Sequence, residues 1–378
     1  MNLLLLGEYS NVHATLAQGL RALGHQVTLI SDGDRWKNYP RDIDLTRRST
    51  HTIDTLRYLL RCARIIPRLR GYDIVQLINP IFLDLRANKI LPFYNTLRRH
   101  NRKIILCAFG MDHYWVKTCL DAKTFRYSDF NIGTHLRTHE PCAAPFIRDW
   151  LQGPKANLNI HIAQDADHIV TGLYEYDACY RPHFPTKTTY IPFPINIQET
   201  NPSGAIPTSL SGQGQGERLS FFIGIQATRS QYKGTDIMLR ALQRLQRDYP
   251  TQVQITQVQS LPYAQYIQLL SQSQILLDQL YSYTPAMNAL AAMAKGLVVV
   301  GGGEPENYQI LHEDTLRPIV NVLPTEEDVY HKLQQLVLHP QNIPTLARQS
   351  IQYIQKHHDH IKVAQQYQQL YNQLLKQP

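Results

Sequence analysis

An α/β fold of two Rossmann-like halves is predicted by three features of this 378-residue chain. Short continuous apolar runs alternate with amphipathic stretches through the first half, the signature of parallel βαβ units buried on both faces. The stretch QETNPSGAIPTSLSGQGQGE (198–217), almost free of large apolar groups, then reads as a linker. Beyond it the alternation begins again. The length suits two domains of roughly 100–200 residues each, and 43% hydrophobic residues give each half its own core.

The first half opens with a buried strand at Leu3–Leu6 and a helix over about Val12–Leu23 that stops at Gly24. Strands follow at Gln26–Ile30, Ile74–Ile78, Lys103–Ala108, Ile169–Thr171 and Thr189–Ile191. Residues 121–160 form a long insertion with Phe125, Arg126, Tyr127, Asp129, Phe130 and Trp150, suited either to acceptor recognition or to a small core of its own. After the linker come a strand at Leu219–Ile225, a helix at Gly234–Arg247, a strand at Gln252–Val258, a helix at Tyr263–Ser271 and a strand at Ile275–Leu277. A helix from Pro285 to Gly296, a strand at Leu297–Val300 and three glycines complete the pattern. Residues 341–376 read as Gln-rich helix. The expected division is 1–197, linker 198–217, 218–355, and a C-terminal helix 356–378 free to pack back on the first domain.

Composition excludes several classes. Charged residues are only 18%, against a highly charged disordered chain. No apolar run reaches the roughly 18–20 residues that span a bilayer, and MNLLLLGEYS lacks the basic leader of a signal peptide. The five cysteines form no CxxC pair, so reduced thiols in a cytoplasm are expected. The net charge of +8 is uneven: Arg57 to Lys103 holds eleven Lys/Arg against two Asp. In LRYLLRCARIIPRLR (56–70) the arginines recur at helical spacing, which suits either peripheral contact with the inner face of an anionic membrane, an anionic ligand, or a solvated face. No nucleic-acid module is recognisable, so nucleic acid is not an expected partner. The first turn, GEYSNV, has no GxGxxG, which argues against a dinucleotide oxidoreductase.

Four segments, in order, resemble the GT-B glycosyltransferases and within them the family 4 retaining enzymes. They are LAQGLRALGHQVTLIS (16–31), ADHIVTG with YIPFPIN (166–172, 190–196), FFIGIQATRSQYKGTDIMLRAL (221–242) and NALAAMAKGLVVVGGGEPENY (288–308). The resemblance implies two Rossmann-like domains facing each other across a cleft. It also implies a nucleotide-sugar co-substrate, UDP- or GDP-linked, a glycan or lipid-linked acceptor, and no further cofactor or metal. Both glutamates of the family's E-x7-E motif are replaced, by Tyr283 and Ala291, and Phe109 stands where a histidine usually precedes the glycine.

Candidate site residues follow from the chemistry of a diphosphate. Lys233 and Arg229 sit in a loop entering a helix, where two cations meet free backbone amides, with Gly234 between lysine and helix. The resemblance gives this Arg and Lys the task of neutralising the leaving diphosphate. Ala286, Met287 and Asn288 open a second helix whose amides would point at the same group, and Asn288 either bonds a hydroxyl or caps the helix. Gly301, Gly302 and Gly303 suit unusual backbone angles beside a ligand, and Glu304 or Glu306 would supply a carboxylate to sugar hydroxyls or start the next helix. In the first half, Ser10, Asn11 and His13 either cap their helix or turn amides toward the donor phosphates. Phe109, Gly110, Trp115 and Tyr127 are the acceptor-side candidates. Gly110 and Asp112 match the family's strand-end motif, and the resemblance turns Asp112 or His113, the catalytic candidates of this half, toward the acceptor hydroxyl, with His113 suited to proton work. His358 and His360, two apart, do not share a helix face, so no metal site is expected there.

The function this supports is sugar transfer to an acceptor hydroxyl with retention. The rival readings are a catalytically silent sugar-nucleotide-binding protein on the same fold and a nucleotide-sugar epimerase, which would need an acid/base pair not evident here.

Overall fold

The computed structural model describes residues 1–140, 143–204, 218–226 and 229–377. Most of the expected linker, and Cys142, lie outside the described residues; the linker's first residues belong to a short helix, Ile197–Thr200.

The chain divides into two compact units, each built on a parallel sheet. The first comprises Met1–Thr118, Pro145–Pro194 and His360–Pro378. Its seven-stranded sheet runs in the order Thr188–Tyr190, His168–Thr171, Lys103–Ala108, Ile74–Leu77, Asn2–Leu6, Gln26–Ser31, Ile43–Asp44. Leu3 to Leu6 form a central strand with no exposed surface, which is why it reads as an unbroken apolar run. The Ile43–Asp44 strand was not foreseen: two residues are too few to carry a period.

The helix Val12–Ala22 ends where Gly24 adopts a φ of +82° and His25 N donates to Leu20 O at 3.1 Å. That left-handed turn is the one a helix C-terminus uses to satisfy its last carbonyls. Against this helix packs His360–Lys376, burying Val363, Ala364, Tyr367, Leu370, Tyr371 and Leu374. The contact is tight at Gly19, where a Cβ would lie 2.4 Å from His360 O. The region read as one helix over 341–376 is two, Ile343–His357 and His360–Lys376. It breaks where Ile195 N donates to His358 O and Ile195 pairs with Asp359.

The second unit comprises Cys119–Ala144 and Ile195–Asp359. Its five-stranded sheet has the order Val253–Gln259, Leu219–Ile225, Ile275–Leu277, Val298–Gly301, Val320–Asn321. Helix Thr235–Asp248 lays Met238, Ala241, Leu242 and Leu245 on the core, at the spacing of one helical face.

The expectation that the first domain runs unbroken to residue 197 differs from this division. Cys119–Ala144 contains a three-stranded antiparallel sheet, Tyr127–Ser128, Asn131–Ile132 and His135–Leu136, and groups with the second unit. The cause is polar and aromatic anchoring. Arg137 donates to Gln231 O at 2.7 Å and lies 3.8 Å from the Tyr281 ring centroid, and Tyr232 OH donates to Asp129. The rest of the insertion, with Trp150 and helix Pro154–Asp165, stays with the first unit.

Candidate functional site

In the second unit, Gly234 has a φ of +71° and joins the one-turn helix Ser230–Lys233 to Thr235–Asp248. A Cβ there would lie 2.6 Å from Leu280 Cβ, so only glycine lets the two helices meet at this corner. The corner sets Lys233, whose carbonyl accepts from Leu280 N at 3.0 Å, beside the carboxyl end of strand Ile275–Leu277. There stands Asp278. Burial raises its pKa, while the charge of Lys233 and a hydrogen bond from Asn288 pull it back down. Asn288 Nδ2 donates to Asp278 Oδ1 at 2.8 Å and Tyr266 OH donates to Asn288 Oδ1 at 3.0 Å. Asn288 therefore does not cap its helix: Ala286 occupies the N-cap of Met287–Ala294, leaving Met287 and Asn288 in the first turn.

Arg229 is exposed, 5.4 Å from the Tyr232 ring centroid. Tyr232 passes its hydroxyl hydrogen bond to Asp129, whose pKa burial raises and Tyr232, Arg229, Arg137 and Lys233 lower. Cationic side chains thus gather around one partly buried carboxylate. Sequence reasoning missed Asp278, Tyr266 and Arg137. The only signal for Asp278 was an acid at a strand's carboxyl end, where ligands of open α/β sheets bind.

Gly301, Gly302 and Gly303 adopt no positive φ, which corrects the reason expected for them. Close approach requires them instead: a Cβ on Gly302 would sit 2.3 Å from Ser282 O, and one on Gly303 2.8 Å from Ile319 Cγ2. Glu304 occupies the N-cap position of the helix Pro305–Ile310 without capping it by its side chain, and its amide donates to Tyr283 O at 3.0 Å.

The carboxylates expected to reach sugar hydroxyls are already engaged. Glu304 Oε1 accepts from Tyr127 OH at 2.5 Å and from Asn321 Nδ2 at 2.9 Å, while Oε2 accepts from Arg126 Nη2 at 2.8 Å. Glu306 takes both ends of the same guanidinium, at 2.5 and 3.0 Å. Tyr283 is 2% exposed and accepts the Arg126 amide on its hydroxyl at 2.6 Å, with Tyr127 and Phe125 against its ring. Tyr127 lies with Glu304 in the second unit.

In the first unit the opening loop is occupied from within. Ser10 and Asn11 have φ of 53° and 71°, and the Ser10 amide donates to Asp34 Oδ2 at 2.9 Å. Glu8 accepts the amides of His13 and Ala14 at 3.3 and 2.8 Å, so the helix N-terminus expected to face a phosphate holds a carboxyl of its own chain. Burial pushes that carboxyl up to about 8, against the pull of the two amides. His13 is fully buried. Its Nδ1–H donates to Gly7 O at 2.8 Å, Gln76 Nε2 donates to its Nε2 at 3.1 Å, and Tyr371 OH donates to Gln76 Oε1 at 2.7 Å. Burial lowers the His13 pKa to about 4, keeping the ring neutral and this tautomer fixed.

The other first-unit candidates do come together. Gly110 turns out of strand Lys103–Ala108 with a φ of +125°. Asp112 follows, fully buried, accepting from Trp115 N at 2.9 Å and Tyr180 OH at 2.6 Å, its pKa raised by burial to about 6. His113 is half-buried, with its amide on Asn159 Oδ1 and its Nδ1–H on Trp150 O at 2.8 Å, which leaves Nε2 as the acceptor nitrogen. Burial lowers its pKa. Phe109 and Trp115 are buried, with the Phe193 and Tyr176 rings against them. Among the described residues no cluster of three or more His, Cys, Asp or Glu could hold a metal ion. Lys356 and His357 both reach Glu313, at 2.7 and 2.5 Å. Cys62, Cys107, Cys119 and Cys179 are buried.

Residues 229–369 match the model of a family described as glycosyl transferase-like. No curated protein sequence matches the chain. Among solved structures, sucrose-phosphate synthase from Thermosynechococcus elongatus is similar at 14% identity and a TM-score of 0.64, covering 99% of each chain. Anabaena HepE in complex with UDP and glucose follows at 12% identity and a TM-score of 0.61, over 99% of this chain and 100% of that one. A UDP-GlcNAc 2-epimerase from Neisseria meningitidis, bound to UDP-GlcNAc, is similar at 10% identity and a TM-score of 0.56, over 99% and 100%. These likenesses, with the two parallel α/β units, establish the fold as that of the GT-B glycosyltransferases.

Proposed function

We propose that this chain is a retaining glycosyltransferase of the family 4 type, moving a sugar from a UDP- or GDP-linked donor to a glycan or lipid-linked hydroxyl. The observation that carries the reading is the match of residues 229–369 to a glycosyl transferase-like family, over the segment in which Lys233 sits at the glycine corner beside Asp278. A departing nucleoside diphosphate would be held by Lys233, by Arg229 and by the first amides of helix Met287–Ala294. Charges fixed in place before reaction are often the largest catalytic contribution. A phosphate oxygen of the donor then takes the acceptor proton, so this chemistry calls for no protein nucleophile and survives the replacement of both family glutamates. His113 Nε2, an acceptor nitrogen on a neutral ring, is the first-unit group suited to orient the acceptor hydroxyl.

A second reading is favoured by one observation: the Glu304 carboxylate is filled by Arg126, Tyr127 and Asn321. On that reading the chain binds sugar nucleotides without turning them over. Melting temperature in the presence of UDP, GDP and their sugars tests binding, since a ligand of the folded form raises it. Transfer and hydrolysis assays with the same donors separate the two readings. Binding without turnover of any donor supports the silent protein, and neither binding nor turnover removes both.

A further inference from the structure

The helix Thr52–Ile65 fixes itself by one face and leaves the opposite one apolar. Tyr58 and Cys62 are buried, and the Tyr58 hydroxyl accepts from Asp84 N at 3.1 Å. On the other side Ile53, Leu56 and Leu60 are 67%, 56% and 61% exposed. At about 100° per residue these three form one stripe, opposite Tyr58 and Cys62. Arg57, Arg61 and Arg64 run along one flank of the stripe, and Arg68 and Arg70 extend the charge beyond the helix end; all five are exposed. The helix carries a single acid, Asp54, which accepts from Ser49 Oγ at 2.6 Å and lies 3.6 Å from Arg57.

We infer that this face docks the protein onto a bilayer containing anionic lipid, with the aliphatic row in the acyl boundary and the guanidinium row on the headgroups. The occupant follows from shape and charge. Guanidinium groups on long apolar stems beside an aliphatic row suit an interface where the stems bury and the charges stay in water. The stripe is aliphatic throughout and lacks the aromatic anchor on which a protein partner's binding energy concentrates. A second copy meeting it in an antiparallel two-fold would set one arginine row against the other. The inference is independent of the sugar-transfer reading. No helix among the described residues is long and apolar enough to cross a membrane, so the docking is peripheral.

Flotation of the full chain with phosphatidylcholine vesicles, with and without phosphatidylglycerol, tests it. The protein should float with the anionic vesicles, stay behind with the neutral ones, and be released by salt, which screens the headgroup field. Replacing Arg57, Arg61 and Arg64 by Gln should weaken binding on the order of 100-fold, from about one fivefold factor per arginine at an anionic surface. Replacing Ile53, Leu56 and Leu60 by Ser should weaken it at least about tenfold, and neither variant should change the melting temperature, because all six side chains are exposed. Failure of the wild type to float with anionic vesicles, equal flotation with neutral ones, or unchanged flotation of both variants overturns the inference. So does a wild-type dimer in sedimentation velocity that the serine variant abolishes while lipid binding persists, which would assign the face to self-association.

Discussion

Arg126 Nη2 donates to Glu304 Oε2 at 2.8 Å, while its Nη1 and Nη2 also hold both oxygens of Glu306. One guanidinium therefore bridges two carboxylates of the glycine-run segment, and its own amide is held by Tyr283. The Glu304 side chain is 7% exposed and that of Arg126 is 53%. Removing the arginine leaves a nearly buried carboxylate short of its cation. The full cost of breaking a buried pair is discounted here because the guanidinium is half in water. Arg126→Ala should lower the stability of the second unit by about 1–3 kcal/mol. Arg126→Lys should recover less than half, since an ammonium cannot fork to two acids. Urea denaturation read by tyrosine fluorescence checks this, and a loss below about 0.3 kcal/mol for Arg126→Ala would show the bridge to be ornamental.

Lys233 is the cation on which the functional reading turns. Lys233→Ala should reduce kcat/KM for sugar transfer by roughly 10²–10³, the range seen when one preorganised charge-stabilising group is lost. Melting temperature without ligand should move little, and the upward shift given by UDP or GDP should shrink. Retention of full activity in the alanine variant would remove the diphosphate role.

Much of the fold was legible because buried parallel strands are continuous apolar runs. Leu3–Leu6, Lys103–Ala108, Leu219–Ile225 and Ile275–Leu277 were readable to within a residue. The two-residue edge strands Ile43–Asp44 and Val320–Asn321 were not, because pairing and not pattern makes them strands. The destination of Cys119–Ala144 was equally hidden. It depends on contacts such as Arg126 with Glu306, 180 positions away, that leave no local trace. At the candidate site, Lys233 and Gly234 announced themselves as a cation and a glycine at a helix start. Asp278 and the Glu8 cap did not, since a single acid after a strand looks the same whether it caps, pairs or catalyses.

His13 and Glu8, adjacent in the first unit, should pull stability in opposite directions with pH. The His13 pKa is lowered to about 4 by burial, so the unfolded chain, titrating near 6.5, takes the proton first. Its contribution is present above 6.5 and lost as the pH falls toward 4, by up to about 3 kcal/mol. Glu8, raised from 4.5 to about 8, favours the protonated folded form. Its contribution is present below 4.5 and lost as the pH rises toward 8. The stability difference between wild type and His13→Gln should therefore shrink on acidification. The difference between wild type and Glu8→Gln should shrink on raising the pH. Denaturation curves at pH 4, 6 and 8 read both signs, and slopes of the same sign would refute the assignment.

Gly302 is held by space and not by backbone angle. A Cβ at this position meets Ser282 O at 2.3 Å and Ser282 C at 2.6 Å, both backbone atoms that cannot swing aside. Ser282 precedes Tyr283, whose carbonyl takes the Glu304 amide and whose hydroxyl takes the Arg126 amide, so any displacement travels into the carboxylate cluster. Gly302→Ala should destabilise the second unit by about 1–3 kcal/mol, as overpacking a close-packed site does. It should also weaken nucleotide-sugar binding in the melting assay. Gly301→Ala is the matched comparison, because its Cβ would lie 3.2 Å from Gln279 O, a contact that a shift of a few tenths of an ångström relieves. Equal effects of the two substitutions would mean that the approach to Ser282 is not what holds position 302 to glycine.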